Sequence, residues 1–245
     1  MTGAHTFRSP VGVSARHVHL SLPHIQSLFG GELHVDRMLS QTGEFAAVER
    51  VTLASQNGIL KGVRVLGPAR SLTQVEISKS DSVTLGIMVP IRLSGCLEGT
   101  PGLTIIGPRG TIVTSNGTII AARHLHISTM DGARMNLKTG DRIVARNSGK
   151  RPCVFEDVIV RVSGTGVLEL HLDTDEANAA DLSSGDIVDM VIPEPLPEGL
   201  SENRFICVED IEKLIRAGRR IQLKPGQKIT SSALELARSR NVLIL

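Results

Sequence analysis

The chain has 245 residues, and its 27 Lys and Arg against 25 Asp and Glu give a formal net charge of +2. Hydrophobic residues make up 41% of it, enough for a packed core, which argues against a disordered chain. Because the charge is close to neutral and Trp and Tyr are absent, the composition also argues against nucleic acid as a partner.

Cysteine usage and hydropathy predict the compartment. Cys96, Cys153 and Cys207 are widely spaced and form no C-x-x-C pair, so neither a disulfide framework nor a cysteine-rich zinc site is expected. The first residues lack the apolar stretch of a signal peptide, and no apolar run approaches the ~18 residues that a membrane span needs. We therefore expect a cytoplasmic protein without a membrane partner.

Short strands dominate the elements predicted in chain order. The alternation from Val11 to His19 predicts a strand, after which Ser21 caps a brief helix over residues 22–29 that ends at Gly30. Later β-branched segments are bounded by Gly-Pro, Asn-Gly and Ser-Gly turns. They cover residues 50–54, 62–66, 74–78, 103–106, 117–122, 142–146, 154–162 and 167–172. Short strands with Gly-rich turns are typical of a sandwich or barrel.

A duplicated phrase divides this β-rich region in two. Residues 15–21 read ARHVHLS and residues 122–128 read ARHLHIS, 107 residues apart. A second pair, VEISKSD at 75–81 and LHLDTD at 170–175, follows the two copies. A repeat of this length predicts two tandem homologous domains rather than a solenoid. The predicted fold is mainly β: two small β-barrels with short capping helices, residues 1–113 and 114–192, with an approximate boundary across which strands can be shared.

The last part of the chain has no counterpart in either repeat. The run PEPLPEG makes residues 193–200 a predicted linker. Beyond it, helical patterns over residues 208–217 and 230–240 alternate with short strand-like segments over 220–223 and 242–245. Residues 201–245 are therefore predicted to form a small α/β accessory module.

Each repeat places two histidines on one face of a strand. Because strand residues i and i+2 point the same way, an H-x-H phrase presents two imidazoles side by side, as a zinc ion requires. Glu76 and His171 occupy corresponding places in the second phrase and supply a third ligand. Three protein ligands with one position left open are typical of catalytic zinc. The two predicted ligand sets are His17, His19 and Glu76, and His124, His126 and His171.

Arg70 is the candidate for binding an anion. It follows a tight Gly-Pro turn six residues before Glu76, and its guanidinium suits bidentate contact with phosphate. Arg16 and Arg123 face away from the neighbouring histidines, so a supporting or surface role is predicted for them. The chain has neither a P-loop nor a dinucleotide-binding glycine motif, which argues against nucleotide hydrolysis and nicotinamide chemistry.

These phrases resemble the PduL-type phosphate propanoyltransferases, zinc-dependent phosphotransacylases associated with bacterial microcompartments such as those of propanediol degradation. The resemblance covers roughly residues 10–192, in order. The segments that carry it are residues 11–21, 63–70, 74–78, 90–95, 122–128 and 170–180.

The resemblance implies an acyltransferase that interconverts acyl-CoA and phosphate with acyl phosphate and CoA. It implies an active site between the two barrels, with two zinc ions per chain on the ligand sets above and phosphate on Arg70. It also implies a homodimer or higher homo-oligomer, a place in the microcompartment lumen, and shell or cargo proteins as partners. The residues it places along coenzyme A are Val13, Ser14, Ala15, Arg64 and Asn178.

Two other functions use the same residues. A dinuclear zinc hydrolase would use the two ligand sets to activate water against a thioester or phosphate ester, although no Asp or Glu is placed as a bridging ligand or general base. A non-catalytic metal-binding scaffold would bind zinc and exchange nothing. For residues 201–245 the hypothesis is a contact with other copies or with a shell, and the alternative is a simple packing appendage.

Overall fold

The computed structural model describes residues 5–193, 205–216, 220–223 and 225–244. The strands are β1 His5–Ser14, β2 His17–Ser21, β3 Val35–Met38, β4 Phe45–Ala54, β5 Ile59–Arg70, β6 Gln74–Glu76, β7 Ile91–Arg92, β8 Thr104–Ile106, β9 Thr111–Val113, β10 Thr118–Ala121, β11 His124–Ser128, β12 Arg142–Asn147, β13 Cys153–Ser163, β14 Glu169–Asp173, β15 Ile187–Ile192, β16 Phe205–Ile206, β17 Ile221–Gln222, β18 Lys228–Ile229 and β19 Leu243–Ile244. The helices are α1 Leu22–Phe29, α2 Lys79–Leu85, α3 Thr129–Arg134, α4 Thr174–Ala180, α5 Val208–Arg216 and α6 Ser231–Ser239.

The fold is mainly β, with 43% strand and 21% helix, as the sequence predicts. Residues Arg8–Met190 form one compact unit with two sheets. The strands β1, β14, β11, β13, β12 and β15 close a barrel in that order. The other sheet has nine strands in the order β7-β10-β6-β2-β5-β4-β8-β9, with β3 beside β4, and forms a half-barrel.

The two repeats build the same strand arrangement, which agrees with the predicted duplication. In the first repeat β2 runs parallel to β5 and antiparallel to β6, while β5 pairs with β4. In the second repeat β11 runs parallel to β13 and antiparallel to β14, while β13 pairs with β12. In both sheets the strand with the H-x-H phrase thus lies between one parallel and one antiparallel neighbour.

The strand that leads into each H-x-H phrase pairs with the other repeat. The alternation from Val11 to His19 does not run through one strand, because the chain leaves the ladder at Ala15–Arg16 and changes sheets. Strand β1 lies parallel to β14 of the second repeat, with Gly12 opposite His171. Strand β10 lies parallel to β6 of the first repeat, with Ile119 opposite Glu76. Each repeat thus contributes its lead strand to the sheet of the other, and strands are shared across the predicted boundary between residues 113 and 114.

The segment before Arg70 differs from the sequence expectation. The Gly-Pro pair predicts a turn, but β5 continues to Arg70. Along β2 the partner of His19 is Leu66, and the partner of Ser21 is already Arg70. The extra residues of β5 form an irregularity in the ladder that accommodates the proline, which has no N–H to donate. It delivers Arg70 to the sheet beside the first repeat's histidines.

Short helices follow the strands that carry the third predicted ligands, and each is braced by an arginine. Helix α2 begins with a capping box between Ser78 and Asp81, and α4 begins with one between Asp173 and Glu176. The arginine before each H-x-H phrase pairs with the acid of the box in its own repeat. The pairs are Arg16–Asp81 at 2.9 Å and Arg123–Glu176 at 2.8 Å. The supporting role predicted for these arginines is therefore that of an ion pair that fixes a helix start.

Buried apolar residues on the inner faces of the strands form the core of each sheet. In the first sheet Val18, Leu53 and Val65 are fully buried, and α1 adds Leu28. In the barrel, fully buried residues include Leu125, Ile127, Leu170 and Val160. Each H-x-H strand alternates these apolar side chains with its histidines, so burial of the core fixes the direction in which the imidazoles project.

The described residues from 205 onward belong to the second compact unit and form short strands and two helices. Strand β16 runs parallel to β18, and β17 runs parallel to β19. Helices α5 and α6 pack together, and the buried residues of this unit are Ile206, Ile211, Leu214, Ile221, Ala233, Ala237 and Val242. The predicted linker beyond residue 193, and residue 217 of the predicted first helix, lie outside the described residues. None of the helices in the described part of the chain has the length and apolar character needed to cross a membrane.

Candidate active site

The first cluster lies where β2 and β6 face each other. His17 is directly opposite Glu76 across the antiparallel ladder, and His19 projects from the same face of β2. The Nε2 atom of His17 lies 3.5 Å from an Oε2 oxygen of Glu76, and the two imidazole rings are 4.9 Å apart. All three side chains are buried. The strand pairing thus brings the first predicted ligand set together.

The second cluster repeats this arrangement in the barrel. His124 is directly opposite His171 on β14, and the three imidazole centroids of His124, His126 and His171 lie 4.7 to 5.0 Å apart. The Nε2 atoms of His124 and His126 approach to 3.1 Å. Within each cluster the donor atoms of all three residues lie within 4.8 Å of one another.

A backbone contact sets the tautomer of the first histidine in each phrase. The Nδ1 atom of His17 lies 2.9 Å from the carbonyl of Ala15, and that of His124 lies 2.8 Å from the carbonyl of Ala122. Because a carbonyl only accepts, Nδ1 carries the proton and Nε2 keeps its lone pair toward the cluster. A second partner that orients the ring in this way is typical of histidines that bind metals, so the donor set fits a zinc ion.

Charges in the first cluster favour an ionised carboxylate. Burial raises the pKa of Glu76, but the opposing influence of His17 and His19 is stronger and holds that pKa well below its usual range. Burial lowers the pKa of His17, yet the Glu76 carboxylate and the Ala15 carbonyl raise it overall. Burial, followed by the positive charges of His17 and Arg70, lowers the pKa of His19. The carboxylate is therefore available as an anionic ligand at neutral pH.

Two imidazoles of the second cluster, His124 and His126, are uncharged at neutral pH. Burial and the neighbouring His171 lower the pKa of His124 to about 4 and that of His126 to about 3. These rings therefore keep free lone pairs at neutral pH, as metal ligation requires. Glu76 and His124 also influence each other's pKa, so the two clusters lie within electrostatic range of each other.

Arg70 lies beside the first cluster in a polar network. Its Nη1 donates to the hydroxyl of Ser94 at 3.1 Å, and its Nη2 pairs with Glu44 at 3.3 Å. Gln74 donates to the same Ser94 hydroxyl at 2.8 Å and to Glu76 at 2.6 Å. The Arg70 side chain is 33% exposed, so its guanidinium can meet a ligand from solvent.

Ser94 and Arg161 are polar residues near the clusters that the sequence pattern does not predict. Ser94 follows β7 in a turn, and nothing in its local pattern indicates that it meets Arg70. Arg161 lies opposite His126 on β13, and after burial and the neighbouring histidines its charge also lowers the pKa of His124 and His126. No carboxylate among the described residues pairs with Arg161. Arg161 lies two residues after Ile159, which is the partner of His124 on β13. Because strand residues i and i+2 share a face, this spacing indicates that Arg161 lies on the same face of β13 as Ile159.

The residues expected along coenzyme A lie at several places around the clusters. Val13 and Ser14 end β1 beside β14, where the Val13 amide bonds to the hydroxyl of Ser184, and Ala15 follows exposed. Asn178 is exposed on α4. Arg64 lies opposite His17 across the ladder, and its guanidinium pairs with an Asp36 oxygen at 2.6 Å.

Comparison with known proteins gives a consistent result. The family model for phosphate propanoyltransferase matches residues 10–183. A phosphate propanoyltransferase of Thermotoga maritima is 50% identical over 184 residues, which cover 74% of this chain and 88% of the relative. One of Rhodopseudomonas palustris is 45% identical over 76% of this chain and 83% of the relative. One of Escherichia fergusonii is 42% identical over 75% and 88%.

The matched region holds both H-x-H phrases, Glu76, His171 and Arg70, and stops before the C-terminal unit. The chain belongs to the phosphate propanoyltransferase family.

Proposed function

We propose that this protein is a phosphotransacylase that converts propanoyl-CoA, or a similar short acyl-CoA, and phosphate to acyl phosphate and CoA, reversibly. The observation that carries the proposal is the pair of three-ligand clusters with Arg70 beside them, in a chain of this family. Phosphate and a thioester both present oxygens that become more negative during the transfer, and a cationic site stabilises such charge.

Two zinc ions fit the donor sets. His17, His19 and Glu76 would hold one, and His124, His126 and His171 the other. When bound, zinc supplies a Lewis acid for the thioester carbonyl or phosphate and favours a thiolate leaving group. The ligands carry a single carboxylate, Glu76, so the site as a whole is positive and suits an anionic substrate.

Phosphate would bind on Arg70 and Ser94. The Ser94 oxygen accepts hydrogen bonds from Arg70 and from Gln74, and both of these groups can only donate there. The hydroxyl proton is therefore left to point outward, where it can donate to an anion held by Arg70. Arg161, beside the second cluster, would add a further positive charge to the site.

The transfer would be direct. A phosphate oxygen attacks the thioester carbonyl carbon, the C–S bond breaks, and the electron pair leaves with the CoA sulfur. Ser94 is an unsuitable nucleophile because no histidine or carboxylate among the described residues accepts its proton. Phosphate is already anionic at neutral pH, so the chemistry needs no acyl-enzyme and no general base for its nucleophile.

The end of β1 would receive coenzyme A along Val13, Ser14 and Ala15, with Arg64 and Asn178 nearby. The family resemblance supports this placement, as it supports a homo-oligomer in the lumen of a bacterial microcompartment. For residues 201–245 we propose contacts with other copies or with the shell. Deletion of residues 198–245 should leave turnover intact and change assembly or encapsulation, and unchanged assembly and localisation would refute that role.

Thiol release from propanoyl-CoA and acetyl-CoA, followed with and without phosphate, tests the activity. We expect CoA release that depends on phosphate and yields acyl phosphate. Release in water alone would instead identify a hydrolase, and zinc binding without exchange of phosphate into acyl-CoA would identify a non-catalytic scaffold. Metal analysis of the same sample should find two zinc ions per chain, and His124→Ala should lose roughly one of them and abolish activity. Full activity after chelation would overturn the zinc assignment.

A further inference from the structure

Each repeat carries a polar residue two positions before its third predicted ligand. In the first repeat this residue is Gln74, before Glu76, and in the second it is Glu169, before His171. Because strand residues i and i+2 share a face, each points toward its own cluster. The two positions correspond in the duplicated fold: Gln74 is opposite His19, and Glu169 is opposite His126.

In the first repeat the amide donates to the ligand. The Nε2 atom of Gln74 lies 2.6 Å from Oε1 of Glu76, while the other carboxylate oxygen faces His17. The Gln74 side chain is buried, and its carbonyl oxygen accepts from the Gly95 amide at 2.8 Å, so the orientation of the amide is fixed. An NH₂ group can only donate, which suits a partner that is an ionised carboxylate.

In the second repeat the contact has the opposite polarity. An Oε2 oxygen of Glu169 accepts a hydrogen bond from the Nε2 atom of His171 at 2.6 Å. A carboxylate can only accept, which suits an imidazole that carries a proton on one nitrogen and keeps a lone pair on the other. The first repeat thus combines a donor with a carboxylate, and the second combines an acceptor with an imidazole.

The Glu169 carboxylate is held in place from three sides. The hydroxyl of Ser40 donates to Oε2, and the amide of Gln41 lies 3.4 Å from the same oxygen and also bonds to the backbone of Val167. On the third side, a Cβ added at Gly12 would come within 2.7 Å of the Glu169 carboxyl carbon and 3.0 Å of the His171 ring. A side chain at this position would have to displace the Glu169 carboxylate, so the exchanged strand β1 closes over the pair.

From these contacts we propose that Gln74 and Glu169 are positioning residues, each chemically matched to the third ligand of its own cluster. Glu169 orients His171 and neutralises part of the charge of the second metal, and Gln74 orients Glu76 in the first. The inference rests on the proposed metal sites. Either a Gln-x-Glu pair or a Glu-x-His pair can orient the third ligand of a metal site. The mixed pairs, Gln-x-His and Glu-x-Glu, cannot orient it as well.

The proposed match is tested by replacing the Glu169 and His171 pair of the second repeat with the Gln and Glu found in the first repeat. The variants are Glu169→Gln, His171→Glu and the double variant, and the readout is the affinity of each zinc ion, measured by competition with a chromogenic chelator. We expect Glu169→Gln to weaken one of the two zinc ions roughly 10- to 100-fold, as loss of an outer partner typically does. His171→Glu should weaken that zinc more, because it places two carboxylates side by side.

The double variant decides the question. Since it restores a donor beside a carboxylate, we expect its zinc affinity to exceed that of His171→Glu at least tenfold. An affinity equal to or below that of His171→Glu would overturn the proposal, because two independent substitutions would only add their losses. Far-ultraviolet circular dichroism and thermal unfolding of each variant establish that the comparison is made between folded proteins.

Two further variants separate charge from position. Glu98→Gln removes a negative charge from an exposed loop residue and should leave both zinc affinities unchanged. Gln74→Glu places a second carboxylate against Glu76 and should weaken the other zinc ion. If the unsubstituted protein binds no zinc, the proposed function fails. If it binds two and Glu169→Gln binds both equally well, only the matching of Glu169 to His171 is refuted.

Discussion

Replacement of Arg70 by alanine isolates the contribution of one guanidinium to phosphate binding. The substitution removes the partner of Ser94 and Glu44, and it removes a positive charge that acts on His17 and His19. Loss of that charge cannot disfavour a cation at the first cluster, because like charges repel. We therefore expect Arg70→Ala to retain its zinc while it binds phosphate more weakly.

The size of the effect follows from the exposure of Arg70. A hydrogen bond to a charged group contributes about 1.5–3 kcal/mol. Because the Arg70 side chain is 33% exposed and partly screened by water, the lower end, about 1.5–2 kcal/mol, applies. With about 1.4 kcal/mol for each factor of ten, the expected rise in the KM for phosphate is roughly 10- to 30-fold.

The assay is thiol release from propanoyl-CoA at a fixed saturating concentration while phosphate is varied, with the zinc content determined on the same preparation. Arg70→Lys serves as the matched variant: it keeps the charge, loses the planar fork, and should fall between the wild type and Arg70→Ala. An unchanged KM for phosphate in Arg70→Ala, with zinc present, refutes the role assigned to this residue.

Three further predictions concern the same network and its scaffold. Ser94→Ala removes one hydrogen bond from an uncharged donor to the phosphate anion, about 1.5 kcal/mol, and should raise the KM for phosphate roughly 10-fold; an unchanged KM would contradict the assignment of the hydroxyl proton. Leu125→Ala, at a fully buried barrel position, should lower the free energy of unfolding in urea by about 2–5 kcal/mol, whereas Met130→Ala, at a 77% exposed side chain, should change it by less than about 0.5 kcal/mol. Arg16→Ala leaves the buried Asp81 carboxylate without its cationic partner and should cost about 1–3 kcal/mol in the same urea experiment; an unchanged midpoint would show that the ion pair does not brace α2.

Much of the site could be predicted from periodicity and the repeat. The period of two along a strand placed His17 beside His19 and His124 beside His126, and the duplicated phrase paired Glu76 with His171. The ladders place these third residues directly opposite the first histidine of each phrase. Such contacts are local to one sheet, so a pattern in the sequence is sufficient to specify them.

The remaining contacts depend on long-range topology, which no local pattern contains. The lead strand of each repeat pairs with the other repeat, so the proximity of Gly12 to Glu169 follows from the exchange rather than from spacing. Ser40 and Gln41 reach Glu169 from a loop of the first repeat. The continuation of β5 to Arg70 depends on an irregularity in the ladder. In the sequence, the Gly-Pro pair at this position predicts a turn instead.

The reciprocal pairing of β1 with β14 and of β10 with β6 also bears on the origin of the fold. If the chain were cut between the repeats, the lead strands β1 and β10 would each lose their partner in the other half. Strands β14 and β6 would lose a neighbour in the same way, and association of the two halves would restore both pairings. Half-length ancestors would meet this need as a two-fold symmetric dimer with swapped strands. Fusion of the two genes would then free the halves to diverge, so that the carboxylate at Glu76 and the imidazole at His171 could be selected independently within one polypeptide.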